Sequence, residues 1–377
     1  MDIELTLTQL AESGNFRRIP AESTPDIVDL SSNDYLGLAA RTDLTERFFA
    51  EFAPGSLPMS ASASRLLGAR QRDFDSFEAL LADCYGRPAL TFNSGYHANT
   101  GLVQALADKR SLIVADRLVH ASIIDGIRLS GAPFERFRHN DYDHLERILA
   151  AKAGAFETVI IIAESVYSMD GDRADIDRLI SVRDRYTGKA LLYIDEAHAV
   201  GVLGPSGLGL AAASLAPGKV DIIVGTLGKA LASVGAYAVM SPRMRDFMVN
   251  KARSLIFSTA LPPVNVAWSE FIFRHMLSMD SERRSLDELS GRLATVLHAD
   301  APGHIRPLIV GDPRKAVAMS ERLLELGFKV LPIRTPTVPP GTERLRFSLS
   351  AAIAPADIDA LGRALQSVEN RFKTPLT

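Results

Sequence analysis

Apolar residues along this 377-residue chain follow two rhythms. From Asp73 to Asp83, Phe74, Phe77, Leu80 and Leu81 recur at helical spacing. Leu5, Leu7 and Leu10 among polar neighbours predict a short amphipathic helix within residues 1–15. The middle third alternates. Strand-like runs at 89–92, 112–115, 159–163, 191–194 and 222–224 are mostly separated by helix-like stretches around 100–107, 120–130, 142–151 and 175–186. Short buried strands divided by helices predict crossover units and a mostly parallel sheet covered on both faces.

The rhythm changes at both ends. A polar, proline-containing stretch from Arg17 to Asp26 precedes a short strand at 27–30 and the turn Ser31-Ser32-Asn33-Asp34. After Ser241, residues 262–299 read as largely helical, with Pro262 and Pro263 in the first turn, where proline is tolerated. The tail predicts a strand (305–310), a helix (314–326), strands (329–333 and 345–349) and a helix (355–371). The expectation is an α/β chain with an N-terminal arm over 1–40, a large domain over 41–260, connecting helices over 261–300 and a small α+β domain over 301–377. No internal repeat or low-complexity segment interrupts it.

Composition narrows the function classes. Lys+Arg total 42 and Asp+Glu 45, a formal net charge of -3, which argues against bulk nucleic-acid binding. Hydrophobic residues at 47% and charged residues at 23% are those of a soluble globular chain rather than a disordered one. Cys84 is the only cysteine, so neither an internal disulfide nor a four-ligand structural zinc site is expected, and it reads as a buried small hydrophobe. Asp2, Glu4 and Glu12 precede the first basic residue, Arg17, the reverse of a secretory signal. The most apolar run, 159–163, is far short of a membrane span. A soluble, cytoplasmic protein that meets no membrane is expected.

In open parallel sheets ligands sit beyond the carboxyl ends of the strands, so the residues that follow each strand carry the chemistry. They are Asn93-Ser94-Gly95-Tyr96-His97, Glu164-Ser165-Val166-Tyr167-Ser168-Met169-Asp170-Gly171, Asp195-Glu196-Ala197-His198 and Gly225-Thr226-Leu227-Gly228-Lys229. One Asp or Lys at a strand end is ordinarily a cap or a solvated charge, and Gly225–Gly228 alone reads equally as a turn. The coincidence of several such ends carries the argument. The set is not a Walker P-loop, because Ala230 stands where Ser or Thr would hold magnesium. It lacks an early G-x-G-x-x-G, a G-x-S-x-G elbow and a metal-ligand cluster at recognised spacing, so no metal is expected. A pyridoxal phosphate site fits better. It needs a lysine for the Schiff base (Lys229), an acid beside the pyridine nitrogen (Asp195), a phosphate cup of backbone N–H groups and hydroxyls (Gly95 and Tyr96 with Thr226), and a platform for the ring (His120).

The chain resembles the α-oxoamine synthases, fold-type I pyridoxal phosphate enzymes, from about Leu30 to Ala352. The resemblance rests on Ser31-Ser32-Asn33-Asp34-Tyr35-Leu36-Gly37-Leu38, Asn93-Ser94-Gly95-Tyr96-His97-Ala98-Asn99, Asp116-Arg117-Leu118-Val119-His120-Ala121-Ser122, Ser168-Met169-Asp170-Gly171-Asp172, Asp195-Glu196-Ala197-His198 and Thr226-Leu227-Gly228-Lys229-Ala230-Leu231, in this order. It implies that Lys229 bonds the cofactor, Asp195 pairs with the pyridine nitrogen, His198 and Ser168 lie near the phenolic oxygen and His120 stacks on the ring. Gly95, Tyr96 and Thr226 would bind the phosphate, with Ser258 and Thr259 reaching it from the neighbouring subunit of a homodimer. Asn33 and Arg346 match the positions that hold the amino-acid carboxylate; Arg17, Arg334 and Thr337 resemble the acyl-substrate side. His120 also reads as a helix cap, and Arg346 and Arg17 as surface charges.

The implied reaction is a decarboxylative condensation of an amino acid with an acyl thioester. The motifs lean to L-alanine with a pimeloyl group carried by coenzyme A or acyl carrier protein, the biotin-biosynthesis branch. Glycine with acetyl-CoA is the alternative. A non-catalytic subunit, and then a dehydrogenase, stand further off. The chain departs from the family where a glycine-rich G-S-G-G-S-R segment reads Met59-Ser60-Ala61-Ser62-Ala63-Ser64-Arg65, and where a histidine after Gly68 gives way to Arg70-Gln71-Arg72. Replacing glycines restricts the backbone of a loop that the family places near the active site.

Overall fold

The computed structural model describes residues 2–19, 26–53, 55–68 and 71–373. Most of the proline-containing stretch (20–25) and Arg70 of the departing segment lie outside them. The described residues of 37–167 and 172–280 form one compact unit, and those of 1–36, 168–171 and 281–377 form another. The N-terminal arm and the C-terminal module thus cluster together, and the helical stretch at 261–300 divides between the units.

The larger unit is built on a seven-stranded sheet in the order Ala89–Phe92, Ala236–Val239, Ile222–Thr226, Ala190–Asp195, Thr158–Glu164, Ser111–Asp116, Phe134–Phe137. Only Ala236–Val239 runs against the other six strands, which therefore deliver their carboxyl ends to one edge. The central strands are buried along nearly their whole length, as expected of strands covered on both faces. The register sets Glu164 directly beside Asp195 at that edge. Two elements lie outside the expected strands. Phe134–Phe137 is a mostly exposed edge strand with charges between its phenylalanines, and Ala236–Val239 is a buried apolar run that follows Ile222–Thr226 without an intervening helix.

Two helices on this sheet carry much of the site. Gly95–Leu106 begins five residues earlier than the apolar spacing suggests, because the Ser94 side chain caps it by accepting from His97 N at 3.2 Å. Ala121–Ser130 starts at an N-cap histidine, His120, and stops at Gly131 in the left-handed region. The pair approaches closely at Gly126, where a Cβ would lie 2.9 Å from the Asn99 carbonyl.

The smaller unit contains a three-stranded antiparallel sheet with Arg344–Ser348 between Leu331–Ile333 and Ile305–Ile309. A two-stranded parallel pair joins Val28–Asp29 to Phe328–Lys329. The run expected at 329–333 therefore splits, its two halves pairing in different sheets. Helices Ile3–Glu12, Pro313–Glu325 and Pro355–Lys373 complete the unit, with nearly all of Asp280–Val296. Among the described residues no helix is long and apolar enough to cross a membrane.

Candidate active site

The carboxyl edge of the large sheet gathers a connected set of polar side chains. Lys229 sits on the loop between Ile222–Thr226 and Ala236–Val239. That loop is closed by Leu227 N donating to the Gly235 carbonyl (2.9 Å) and by Trp268 Nε1 donating to the Ala232 carbonyl (3.2 Å). Lys229 Nζ lies 2.8 Å from His198 Nε2. His198 stands one turn beyond Asp195, which is 4% exposed and ends the strand Ala190–Asp195. Asp195 Oδ1 accepts from Ala197 N (2.9 Å), and its Oδ2 accepts from Asn99 Nδ2 (2.7 Å).

Asn99 is the hub. Its Nδ2 also donates to Ser122 Oγ (2.9 Å), while its Oδ1 accepts from the buried Tyr193 hydroxyl (2.6 Å). Ser122 in turn meets His120: its backbone N–H and its hydroxyl both lie at His120 Nδ1, at 3.2 and 2.8 Å. A backbone N–H can only donate, so Nδ1 is the acceptor and the ring proton belongs on Nε2. His120 therefore caps its helix and is a neutral imidazole. Burial, reinforced by the Lys229 charge, pulls its pKa below the ordinary value. The His120 N–H donates to Glu164 Oε1. Burial and the neighbouring Asp195 charge push the Glu164 carboxyl well above the usual range.

The residues expected to form the phosphate cup also lie together. Gly95 and Tyr96 are the first two residues of their helix, whose amides have no intrahelical acceptor and face the positive end of the dipole. Thr226 Oγ1 stands against Gly95, 3.7 Å from where a Cβ would sit. Asn93 Nδ2 donates to Ser258 Oγ (3.0 Å) and to the Thr259 carbonyl (2.5 Å), tying that segment to the residues just before the cap. A buried carboxylate, an amine on an imidazole and a free helix start with a hydroxyl are the donor set that pyridoxal phosphate requires, and the residues present fit it.

In the smaller unit Arg346 is 3% exposed, which rules out a surface charge. Its Nε donates to the Ser168 carbonyl (2.6 Å) and its Nη2 to Asn33 Oδ1 (3.1 Å). Arg344, on the same face of the strand, donates to Asp170 Oδ1 (2.5 Å). Ser168 thus falls with Asn33 and Arg346 in this unit. Arg17 is exposed and donates to Thr337 Oγ1 (2.9 Å). Arg334 donates to the Gly14 carbonyl (2.6 Å), so these three also converge. Burial and the nearby Arg17 charge lower the Arg334 pKa.

Asn99, Ser122 and Glu164 stand in stretches quoted from the sequence but carried no role there, and Tyr193 was not named. Asn99 lies inside a helix 96 residues from Asp195, a pairing no local spacing encodes. Cys84 is half-buried rather than fully buried, and burial raises its thiol pKa.

Residues 25–365 match the family model of aminotransferase class I and II. The 8-amino-7-oxononanoate synthase of Chlorobaculum parvum is 48% identical over 355 residues, covering 92% of this chain and 90% of that protein. A serine palmitoyltransferase variant from S. paucimobilis, solved with a bound PLP–myriocin aldimine, superposes with a TM-score of 0.89 at 27% identity, covering 98% of this chain and 97% of that one. The 8-amino-7-oxononanoate synthase of Francisella tularensis superposes with a TM-score of 0.75 at 26% identity, covering 92% and 98%. The chain belongs to the aminotransferase class I and II family and, within it, to the α-oxoamine synthases, pyridoxal phosphate enzymes of fold type I.

Proposed function

We propose that the protein condenses L-alanine with a pimeloyl thioester, with loss of carbon dioxide and release of the carrier thiol, to give 8-amino-7-oxononanoate for biotin synthesis. The observation that carries this reading is the contact between Lys229 Nζ and His198 Nε2 beside a buried, hydrogen-bonded Asp195, in a chain 48% identical to a relative of that name.

When bound, pyridoxal phosphate supplies an electron sink for a carbanion at the amino-acid α-carbon. Asp195 would hold the proton on the pyridine nitrogen, and Asn99 fixes the carboxylate that would do so. Gly95, Tyr96 and Thr226 would hold its phosphate, His120 would pack against its ring, and Ser168 and His198 would serve its phenolic oxygen. Arg346 and Asn33 take the alanine carboxylate. Lys229 Nζ takes the α-proton and returns one after decarboxylation, while His198 Nε2 keeps Nζ in position. The neutral His120 carries its proton on Nε2, which suits it to donate to the thioester carbonyl as negative charge develops there. Arg17, Arg334 and Thr337 receive the acyl substrate, whose carrier is coenzyme A or acyl carrier protein. The enzyme works in the cytoplasm as a homodimer, Ser258 and Thr259 serving the partner's phosphate site.

The test is product analysis with the cofactor-loaded protein, given L-alanine or glycine and pimeloyl-CoA, pimeloyl carrier protein or acetyl-CoA. Release of carbon dioxide and 8-amino-7-oxononanoate with L-alanine and a pimeloyl donor is expected. Faster turnover of glycine with acetyl-CoA would replace this reading with a 2-amino-3-ketobutyrate ligase.

A further inference from the structure

Two aspartates at the sheet edge, Asp116 and Asp172, belong to the motifs that carry the family resemblance, yet the reaction above uses neither. The structure joins them. His139 Nδ1 lies 2.9 Å from Asp116 Oδ1, and His139 Nε2 lies 2.7 Å from Asp172 Oδ2. An imidazole between two carboxylates must donate from both nitrogens, so the geometry itself makes His139 an imidazolium. The bridge is enclosed. Asp116 is fully buried, the Tyr167 ring meets the His139 ring edge-on at 4.4 Å, and Asn140 Nδ2 adds a second donor to Asp172 Oδ2 at 2.8 Å.

What the bridge holds is the turn that ends at His120. Asp116 Oδ1 also accepts from Leu118 N (2.8 Å), its Oδ2 accepts from Asn140 N (2.9 Å), and Val119 N donates to the Asp116 carbonyl (3.3 Å). Three donors fix one carboxylate, and that carboxylate fixes the backbone between the strand Ser111–Asp116 and the helix Ala121–Ser130. His120, the next residue, is then pinned through its own N–H by Glu164. Removing His139 leaves Asp116 buried with an unbalanced charge and frees its carboxyl to rotate away from Leu118.

We propose that the Asp116–His139–Asp172 bridge is a positioning device for His120, with His139 as the positioning residue that sets where the His120 imidazole lies over the cofactor. The proposal rests on the reading above, in which His120 faces the ring.

The experiment compares wild type with His120→Ala, His139→Gln and Asp172→Asn, each loaded with pyridoxal phosphate. It records the visible circular dichroism of the bound cofactor, the melting temperature and kcat/KM. His139→Gln is expected to change the cofactor dichroism in the same direction as His120→Ala, with a loss of about tenfold in kcat/KM, the scale of lost supporting contacts around an active site. Asp172→Asn, which keeps the Asp116 half of the bridge, covers the case in which His139→Gln does not fold, and is expected to show the same change at smaller amplitude. A lowered melting temperature with unchanged dichroism in the folded bridge variants would overturn the proposal and leave the bridge merely structural. Unchanged dichroism in His120→Ala would instead overturn the placement of His120 at the cofactor, and the proposal with it.

Discussion

Asn99 Nδ2 donates to Asp195 Oδ2 at 2.7 Å while the same amide group reaches Ser122, the residue that meets His120. One side chain therefore orients both the carboxylate assigned to the pyridine nitrogen and, through Ser122, the imidazole assigned to the ring face. Asn99→Ala removes a charge-assisted bond worth about 1.5–3 kcal/mol, so pyridoxal phosphate affinity should fall by roughly 10- to 100-fold. Asn99→Asp should be worse than Asn99→Ala, because it sets a second carboxylate against Asp195. Fluorescence titration of the apoprotein checks the order; an aspartate variant that binds better than the alanine one contradicts it.

Arg346 is held by the Ser168 carbonyl and the Asn33 side chain in a strand whose residues are all buried. Lysine keeps the charge but not the forked geometry. Arg346→Lys should raise KM for L-alanine by at least about tenfold while cofactor affinity changes little. Steady-state kinetics separate the two, and an unchanged KM removes Arg346 from carboxylate binding.

Ser62, within the stretch that departs from a glycine-rich pattern, stands at φ +55° with its N–H on Ser60 Oγ at 3.0 Å. The left-handed region costs a residue with a Cβ about 1–2 kcal/mol. A glycine there frees the unfolded chain by about 0.4–1 kcal/mol. Ser62→Gly should therefore gain about 0.5 kcal/mol in urea unfolding. A loss of stability would mean that the local serine hydroxyl network outweighs the strain.

Gly225 has the opposite constraint. A Cβ there would lie 2.3 Å from the Tyr237 ring, whose hydroxyl is 2.7 Å from that of Tyr85. Gly225→Ala should cost more than about 2 kcal/mol, at the upper part of the overpacking range, and should disturb Thr226 next to it. Thermal melts of the apoprotein read the first effect and cofactor titration the second.

His139 gives stability a pH dependence. Burial alone would lower its pKa, but the hydrogen bonds and charges of Asp116 and Asp172 outweigh burial and raise it to about 9. A group whose folded pKa exceeds its unfolded value of about 6.5 contributes fully below that value and is lost as pH rises through the folded one. The contribution, on the order of 2 kcal/mol after discounting for partial exposure, should fade between pH 6.5 and 9.5. Unfolding of wild type against His139→Gln across that range tests it; a constant difference refutes the assignment.

The parallel strands were legible because burial on both faces makes them continuous apolar runs, and the residues just beyond them could be named. Thus Lys229, Asp195 and His198 emerge together in the structure as a cluster. The strand Ala236–Val239, as short and as buried as Ala89–Phe92, was hidden because it follows Ile222–Thr226 with no helix between them, and the helix Thr42–Glu51 because only Leu44 and Phe48 face inward. Asn99 stood in a quoted motif without a role, because its partner Asp195 is 96 residues away. The His139 bridge was hidden for a different reason: Asp116, His139 and Asp172 come from three separate strand ends and loops, and no spacing in a sequence encodes that convergence.

The carboxyl edge of the large sheet draws its groups from residues 93 to 229, each stretch delivered by a different strand. Loops between such strands must close before any two of these groups meet, and long loops close slowly. Cofactor capture therefore requires all of these closures. A chain lacking any one of these strands has no partial version of the site, so bound pyridoxal phosphate reports a completed sheet and stabilises only that state.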